Sequence, residues 1–284
     1  MKGKRPNHKS KKPKKNGKVI EVKIKKRTTN EVDQNYSQTE DIRLNKFIAH
    51  AGLCSRREAD TLIADGKVTV NGKVVTEMGF KVKRKDSVVV DGEKISLEPF
   101  VYLLLNKPKN TITTTDDDKG RNTVLNEIES ATGYRVYPVG RLDRNTTGLL
   151  ILTNDGDLAH RLMHPSYKVR KTYEVETAQE LTESELSAFS AGVELEDGKA
   201  KGHNIKQFAD LRNTFQISVF EGRNRLIRRM VEFHGTEVVK LKRIEYAGLN
   251  LKDVSMGRWR FLKQKEINNL RKVVKLSPLD FKKG

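Results

Sequence analysis

Two kinds of hydrophobic spacing divide this chain. In the first, Leu44, Phe47, Ile48 and Ala51 fall at i, i+3, i+4 and i+7, one face of a helix. Gly52 suits its end. Ser55-Arg56-Arg57-Glu58 has the form of a capping box, which opens a second helix with Ala59, Leu62 and Ile63 inward and Gly66 at its close. The spacing then shortens to strand period. Val68-Thr69-Val70, Asn71-Gly72 and Lys73-Val74-Val75 read as a hairpin around a preferred turn dipeptide. Val88-Val89-Val90, Asp91-Gly92 and Glu93-Lys94-Ile95 repeat the device.

Ser96 to Pro99 reads as a linker, and beyond it strands dominate. The apolar run Val101–Leu105 predicts a strand ending in Asn106-Lys107-Pro108, followed by a polar, mobile loop from Thr113 to Gly120. Further strands are expected over Tyr134–Val139, Leu149–Leu152, Lys171–Thr177, Val193–Leu195, Thr214–Phe220, Glu237–Leu241 and Trp259–Leu262. Helices are expected over Asp157–Met163, from a cap at Thr182-Glu183-Ser184-Glu185 to Ser190, over Asn224–Phe233 with Leu226, Ile227, Met230 and Val231 inward, and over Lys265–Val274. The class this implies is α+β with a largely antiparallel sheet. Folded modules are expected over 41–96 and 100–275, with a C-terminal tail over 276–284.

Charge adds a tail and a partner. Residues 1–40 carry Lys11-Lys12-Pro13-Lys14-Lys15 and Lys25-Lys26-Arg27 with few apolar residues, and are expected to be disordered. Such a tail serves either as a sequence-independent phosphate binder or as a solubility device. The formal net charge of the 284 residues is +19, which points to a polyanion, by default nucleic acid. A membrane surface competes as a reading. No apolar run approaches the ~18 residues of a spanning helix, and Met1 leads into lysines rather than a signal peptide. Cys54 is the single cysteine, which excludes a disulfide framework and a thiolate cluster. A cytoplasmic monomer acting without a membrane is expected.

Candidate chemistry centres on Gly140–Gly156. Asp143 lies in a loop between Arg141 and Arg144, just ahead of the apolar run Leu149-Leu150-Ile151-Leu152. A carboxylate in a basic loop beside a buried strand can be held rigidly and ionised, as a nucleophile or general base requires. An ordinary surface turn with solvated charges would read the same way from the loop alone.

The first module resembles the S4-type RNA-binding domain. Arg43-Leu44-Asn45-Lys46-Phe47-Ile48, Gly52, Ser55-Arg56-Arg57-Glu58-Ala59 and Gly66-Lys67-Val68-Thr69-Val70-Asn71-Gly72 carry the likeness. It implies RNA contacts by Arg43, Lys46, Arg56, Arg57 and Lys67. Three later segments are Gly140-Arg141-Leu142-Asp143, Lys171-Thr172-Tyr173 and Glu221-Gly222-Arg223-Asn224-Arg225-Leu226-Ile227-Arg228-Arg229-Met230. Together with Leu105-Asn106-Lys107-Pro108, Tyr137-Pro138-Val139 and Gly192–Gly198, they resemble the RsuA family of pseudouridine synthases.

That resemblance implies a pseudouridine-synthase domain whose largely antiparallel mixed sheet carries flanking helices. It assigns Asp143 to breaking the uridine glycosidic bond, by attack on the ribose or by removal of a ribose proton. Tyr173 would stack on the base and assist proton removal from its carbon. Arg228 would pair with Asp143, favouring and orienting the carboxylate. Arg141 would enter the stack as the target nucleotide flips out, and Arg223 and Arg225 would contact RNA. Two positions depart from the family: Leu226 where many members carry Gln, and Asn110 where Gly is usual. Asn tolerates the left-handed turn that Gly would supply.

Other sites are weaker. His160 and His164, four apart on a helix, lack the acidic residue and third ligand of a metal motif. Asp116-Asp117-Asp118 reads as a solvated loop. No Gly-rich phosphate loop or dinucleotide fingerprint is present, and neither a cofactor nor a metal is expected. The implied partner is ribosomal RNA, free or in a pre-ribosomal particle, with large-subunit wording favoured over small-subunit wording. A non-catalytic RNA-binding assembly factor is the other class the sequence allows.

Overall fold

The structure, a computed structural model, describes residues 41–281; the tail expected over residues 1–40 lies outside them. The N-terminal module runs β1 (Ile42–Arg43), α1 (Leu44–His50), α2 (Arg56–Ala64), β2 (Val68–Val70), β3 (Lys73–Val74), β4 (Lys81–Val82), β5 (Val88–Val90) and β6 (Glu93–Ile95). Ser55 caps α2 as its sequence requires: Oγ accepts from Glu58 N at 3.2 Å, and Glu58 Oε2 accepts from Ser55 N at 2.7 Å. Leu44, Phe47, Ile48, Ala59 and Ile63 pack against Val68, Val70, Val88 and Val90 in one core.

The second module contains β7 (Tyr102–Lys107), α3 (Val124–Glu127), β8 (Tyr137–Pro138), β9 (Thr147–Thr153), α4 (Gly156–Met163), β10 (Lys171–Thr177), α5 (Glu183–Ala191), β11 (Val193–Leu195) and β12 (Gly198–Ala200). It continues through β13 (His203–Phe208), β14 (Leu211–Val219), α6 (Leu226–Glu232), β15 (Val238–Tyr246), β16 (Leu249–Asn250), β17 (Trp259–Phe261) and α7 (Gln264–Val273). Its sheet has nine strands in the order β13-β14-β10-β15-β9-β7-β17, with β8 on β9 and β16 on β15. The β15–β9 pair is parallel and its neighbours in that order are antiparallel. This confirms an α+β class with a mostly antiparallel sheet.

The continuous apolar runs of β7 and β9 follow from burial on both faces. Tyr102, Leu104, Leu149 and Ile151 face α4 and α7, meeting Leu158, Leu162, Ile267 and Leu270. Leu103, Leu105, Leu150 and Leu152 face the other way, against Val124, Ile128 and Leu142. Asp155 caps α4 through Leu158 N at 3.0 Å, and its Oδ2 also accepts from Tyr102 Oη and Arg271 Nη1, each at 2.8 Å.

Several boundaries differ from the sequence expectation for physical reasons. Of the expected strand at 134–139, Tyr137–Pro138 pair with β9 and Val139 N–H adds one bond to Ile151 O at 2.8 Å; Pro138 has no N–H to give the ladder. Strand β15 runs to Tyr246 rather than Leu241, because Arg243 occupies an inward position and breaks the apolar alternation. Strand β13 carries no apolar run and was not anticipated; it is an exposed edge held by β14. Residues 276–281, expected as tail, pack onto the core through Leu279, whose N–H meets Asn268 Oδ1 at 2.9 Å.

The two modules touch through specific groups. Lys46 Nζ lies 2.8 Å from Asp157 Oδ2, Arg135 donates to the Cys54 carbonyl at 3.3 Å, and His50 stacks on Phe100 at 4.9 Å. Burial, then the charge of Lys46, lowers the His50 pKa to about 4, so its ring is neutral in this contact.

Candidate active site

The loop between β8 and β9 is fastened from beneath. Lys107, at the end of β7, is fully buried and donates Nζ to the carbonyls of Thr146 at 2.9 Å, Pro108 at 3.1 Å and Arg144 at 3.3 Å. Burial lowers its pKa to about 8, against the pull of Asp143 and Glu127. Thr113 Oγ donates to Leu142 O at 2.8 Å and accepts from Leu142 N at 3.2 Å, while the Leu142 side chain is sunk in the core. Thr146 N–H closes the turn on Asp143 O at 3.0 Å. Asp143 thus has anchored neighbours on both sides, and its own side chain remains 46% exposed. A carboxylate is presented to solvent on a backbone that cannot drift.

Parallel pairing brings this loop over the middle of the sheet. Gly148 lies beside Arg243 of β15, and Arg243 in turn faces Tyr173 of β10. Gly148 has φ +105°, and a Cβ on it would come within 2.3 Å of the Arg243 carbonyl oxygen. Only glycine allows both that conformation and that approach. The result is a cleft of about 700 Å³ whose walls include Arg141, Asp143, Arg144, Tyr173, Arg223 and Arg225, a volume in the range of small-molecule sites.

Arg228, in the first turn of α6, donates Nη1 to Val238 O at 3.0 Å. Its Nε lies 3.8 Å from Asp143 Oδ2 and makes no hydrogen bond. The two charges are in contact without a hydrogen bond between them. Helix α6 starts at Leu226 rather than Asn224, because Arg225 adopts φ 47° and cannot continue a helix backward. Leu226 is buried in the core under α6, so this departure from the family replaces a polar group with packing. Asn110 has φ 63°, the left-handed turn conformation that the other departure required.

The remaining expected residues separate into two kinds. Arg43, Arg56, Arg57 and Lys67 are exposed on the N-terminal module. Lys46, Arg223 and Arg225 lie in ion pairs. Lys46 meets Asp157, and Arg225 meets Glu232 at 3.2 Å. Arg223 meets Asp197 and Glu221, each at 2.8 Å, and also binds the carbonyls of Gly198 and Lys199. Arg223 therefore ties the β11–β12 hairpin to the entrance of α6. His164 Nδ1 is 2.7 Å from Ser166 Oγ, and Asp117 is paired with Arg121.

Sequence reasoning assigned no role to Lys107, Lys171 or Arg243. Lys171 and Arg243 line the cleft floor, 8% and 2% exposed. Lys107 had one signal, its place two residues beyond Leu105 in strand period, on the face of Leu103 and Leu105. The other two sit among polar and charged neighbours, Arg170 and Thr172 beside Lys171 and Lys242 beside Arg243, and as charged residues read as solvent-facing.

A basic cleft lined by an anchored carboxylate and an aromatic ring, on a chain that also carries a small module with an arginine-bearing helix start, fits an enzyme that acts on RNA. Comparison with known proteins makes the class specific. Residues 101–233 match the family model for RNA pseudouridylate synthase, and residues 42–89 match the S4 domain. Ribosomal large subunit pseudouridine synthase B of Bacillus subtilis (strain 168) is 46% identical over 233 residues, 81% of this chain and 95% of that one. An uncharacterized RNA pseudouridine synthase of Aquifex aeolicus (strain VF5) is 41% identical over 239 residues, covering 83% of this chain and 96% of the other. A crystal structure of a pseudouridylate synthase superposes with a TM-score of 0.58 at 29% identity, over 81% of this chain and 99% of that one. The chain belongs to the S4-domain-bearing RsuA family of RNA pseudouridine synthases, and it is an isomerase.

Proposed function

We propose that this enzyme converts a specific uridine of large-subunit ribosomal RNA to pseudouridine, with Asp143, Tyr173 and Arg228 as its catalytic residues. The observation that carries the reading is the meeting of loop, strand and helix: Asp143 and Tyr173 open on one cleft, with Arg228 3.8 Å behind the carboxylate. The names of the relatives support the subunit.

Isomerisation breaks the bond from ribose C1′ to N1 of uracil. The freed base turns and bonds to C1′ through C5, whose proton leaves while N1 regains one. Asp143 serves the first step as a nucleophile toward C1′ or as a base toward a ribose proton. Arg228 holds its charge partner against one oxygen and leaves the other for substrate. Tyr173 supplies a flat face for the base, and its hydroxyl assists removal of the C5 proton. The target must leave the RNA stack to reach this floor; Arg141, exposed at the cleft rim, takes its place in the helix. Exposed Arg43, Arg56, Arg57 and Lys67 bind RNA phosphates, with α2 offering its N-terminus. Lys46, Arg223 and Arg225 contribute to RNA affinity by shaping the surface their ion pairs hold. The enzyme acts as a monomer on free or pre-ribosomal RNA.

Mapping pseudouridines in ribosomal RNA from cells lacking this gene tests the assignment. One pseudouridine in the large-subunit RNA should disappear and return on complementation. A missing site in the small subunit would overturn the subunit, and an unchanged map the ribosomal assignment. Tyr173→Phe separates the two tasks given to that ring. Single-turnover conversion should fall roughly 10–100-fold, within the span of general acid–base effects, with RNA affinity unchanged. A rate equal to wild type would remove the hydroxyl from the mechanism.

A further inference from the structure

The floor of the cleft holds two cations that the mechanism above does not use. Lys171 and Tyr173 stand two apart on β10, and across the ladder Arg243 faces Tyr173 while Tyr246 faces Lys171. Both cations lie against the Tyr246 ring, Arg243 at 4.7 Å from its centroid and Lys171 at 5.5 Å. Arg243 Nε donates to Leu149 O at 2.7 Å, but its buried Nη2 has no hydrogen-bond partner. Lys171 Nζ makes one long bond, to Val169 O at 3.3 Å.

No carboxylate of the described residues forms an ion pair with either cation. Glu221 is the acidic group in the cleft wall nearest in effect, and Arg223 holds both of its oxygens, at 2.8 and 3.2 Å. Burial, then the charge of Arg243, lowers the Lys171 pKa to about 8, with Glu221 opposing. Two adjacent buried cations without a counter-ion are costly in a folded protein unless an anion joins them. The carbonyls of uracil are neutral and would leave the charge uncompensated. The anion that a flipped nucleotide brings into such a cleft is its phosphodiester.

We propose that Arg243 and Lys171 form a seat for a phosphate flanking the flipped uridine, anchoring the nucleotide beside Tyr173. The proposal rests on the reading that the cleft takes a uridine nucleotide. The guanidinium fork suits two phosphate oxygens, and the ammonium adds a point charge from the neighbouring strand. Tyr246, whose hydroxyl is held by Leu162 O at 3.0 Å, fixes the plane both cations rest on. These are positioning residues: they hold the nucleotide while Asp143 acts on its sugar.

The test is a titration of the full chain, ¹³C-labelled at tyrosine, with uridine, uridine 5′-monophosphate and uridine 3′-monophosphate, read at the Tyr173 and Tyr246 ring signals. One or other monophosphate should bind on the order of tenfold or more tighter than uridine, the scale of a charged hydrogen bond. Which of the two wins identifies the phosphate. The preference should vanish in Arg243→Met and in Lys171→Met and return in part in Arg243→Lys. Lys171→Met leaves the Leu149 contact intact, so a folding failure of Arg243→Met does not remove the test. Wild-type protein that binds the monophosphates no better than uridine, or not at all, overturns the proposal. So do folded variants that keep the preference. The titration needs no RNA target and no turnover, so its failure leaves the ribosomal assignment standing, and an unchanged pseudouridine map leaves the phosphate seat standing.

Discussion

Asp143→Asn is expected to lower pseudouridine formation by roughly 10³-fold or more, the effect of removing a positioned nucleophile or base, while RNA affinity stays within about twofold of wild type. The amide is close to the carboxylate in size, and the backbone is held by bonds that do not involve the Asp143 side chain: Lys107 to Thr146 and Arg144, and Thr113 to Leu142. The loop should therefore keep its course. What is lost is the charge, and an amide neither attacks a ribose carbon nor accepts its proton. Arg228 would face a neutral group across the 3.8 Å contact. Because the replacement removes a negative charge from a surface that meets a polyanion, any change in affinity should be a gain. Tritium release from carbon-5-labelled uridine in ribosomal RNA, run beside a binding titration, measures both quantities. Release at the wild-type rate would end the assignment of this loop as the catalytic centre.

Gly148→Ala is expected to destabilise the fold by about 2–5 kcal/mol, combining left-handed strain with overpacking, and to lower the melting temperature by roughly 5–15 °C. The added methyl would meet the Arg243 backbone oxygen at 2.3 Å and nitrogen at 2.7 Å, and backbone cannot swing aside as a side chain can. To fit it, β9 and β15 must separate where they pair in parallel, at Thr147–Lys242 and Gly148–Arg243. That separation would also pull the Asp143 loop from Tyr173, so activity should fall further than stability alone explains. Gly198→Ala is the control. Its φ is +101° but a Cβ there meets nothing within 4 Å, so strain acts without the clash. Equal melting temperatures for the two variants would mean that strand approach does not fix Gly148.

Most of the architecture could be read from spacing, because period and capping are local properties. The α2 cap, the hairpin turns at Asn71 and Asp91 and the apolar runs of β7 and β9 are such cases. The candidate site was legible in a different way: residue order in three segments carried the likeness to a family, and the fold places Asp143 and Tyr173 on one cleft with Arg228 3.8 Å from the carboxylate. What stayed hidden depends on contacts across the sheet. Lys107, Lys171 and Arg243 are charged, and charged residues are rarely buried, so residue type alone places them in solvent. Arg223 was expected to contact RNA through the resemblance, and its ion pairs are a separate matter. Nothing local to it announces Asp197 twenty-six positions away. Strand β13 escaped because an exposed edge needs no apolar face.

The order of strands also has a consequence for how the enzyme is made. Strand β7, the first of the synthase sheet in sequence, has β9 on one side and on the other β17, one of the last elements of the chain. Next comes α7, whose Arg271 reaches the buried carboxyl of Asp155 just beyond the end of β9. On a ribosome the chain emerges from its N-terminal end. The RNA-binding module can fold early, but the synthase sheet stays open at one edge, with Asp155 lacking its cation, until residues 259–273 clear the exit tunnel. Nascent chains would thus hold RNA before they can modify it, and competence would arrive only when the closing strand docks.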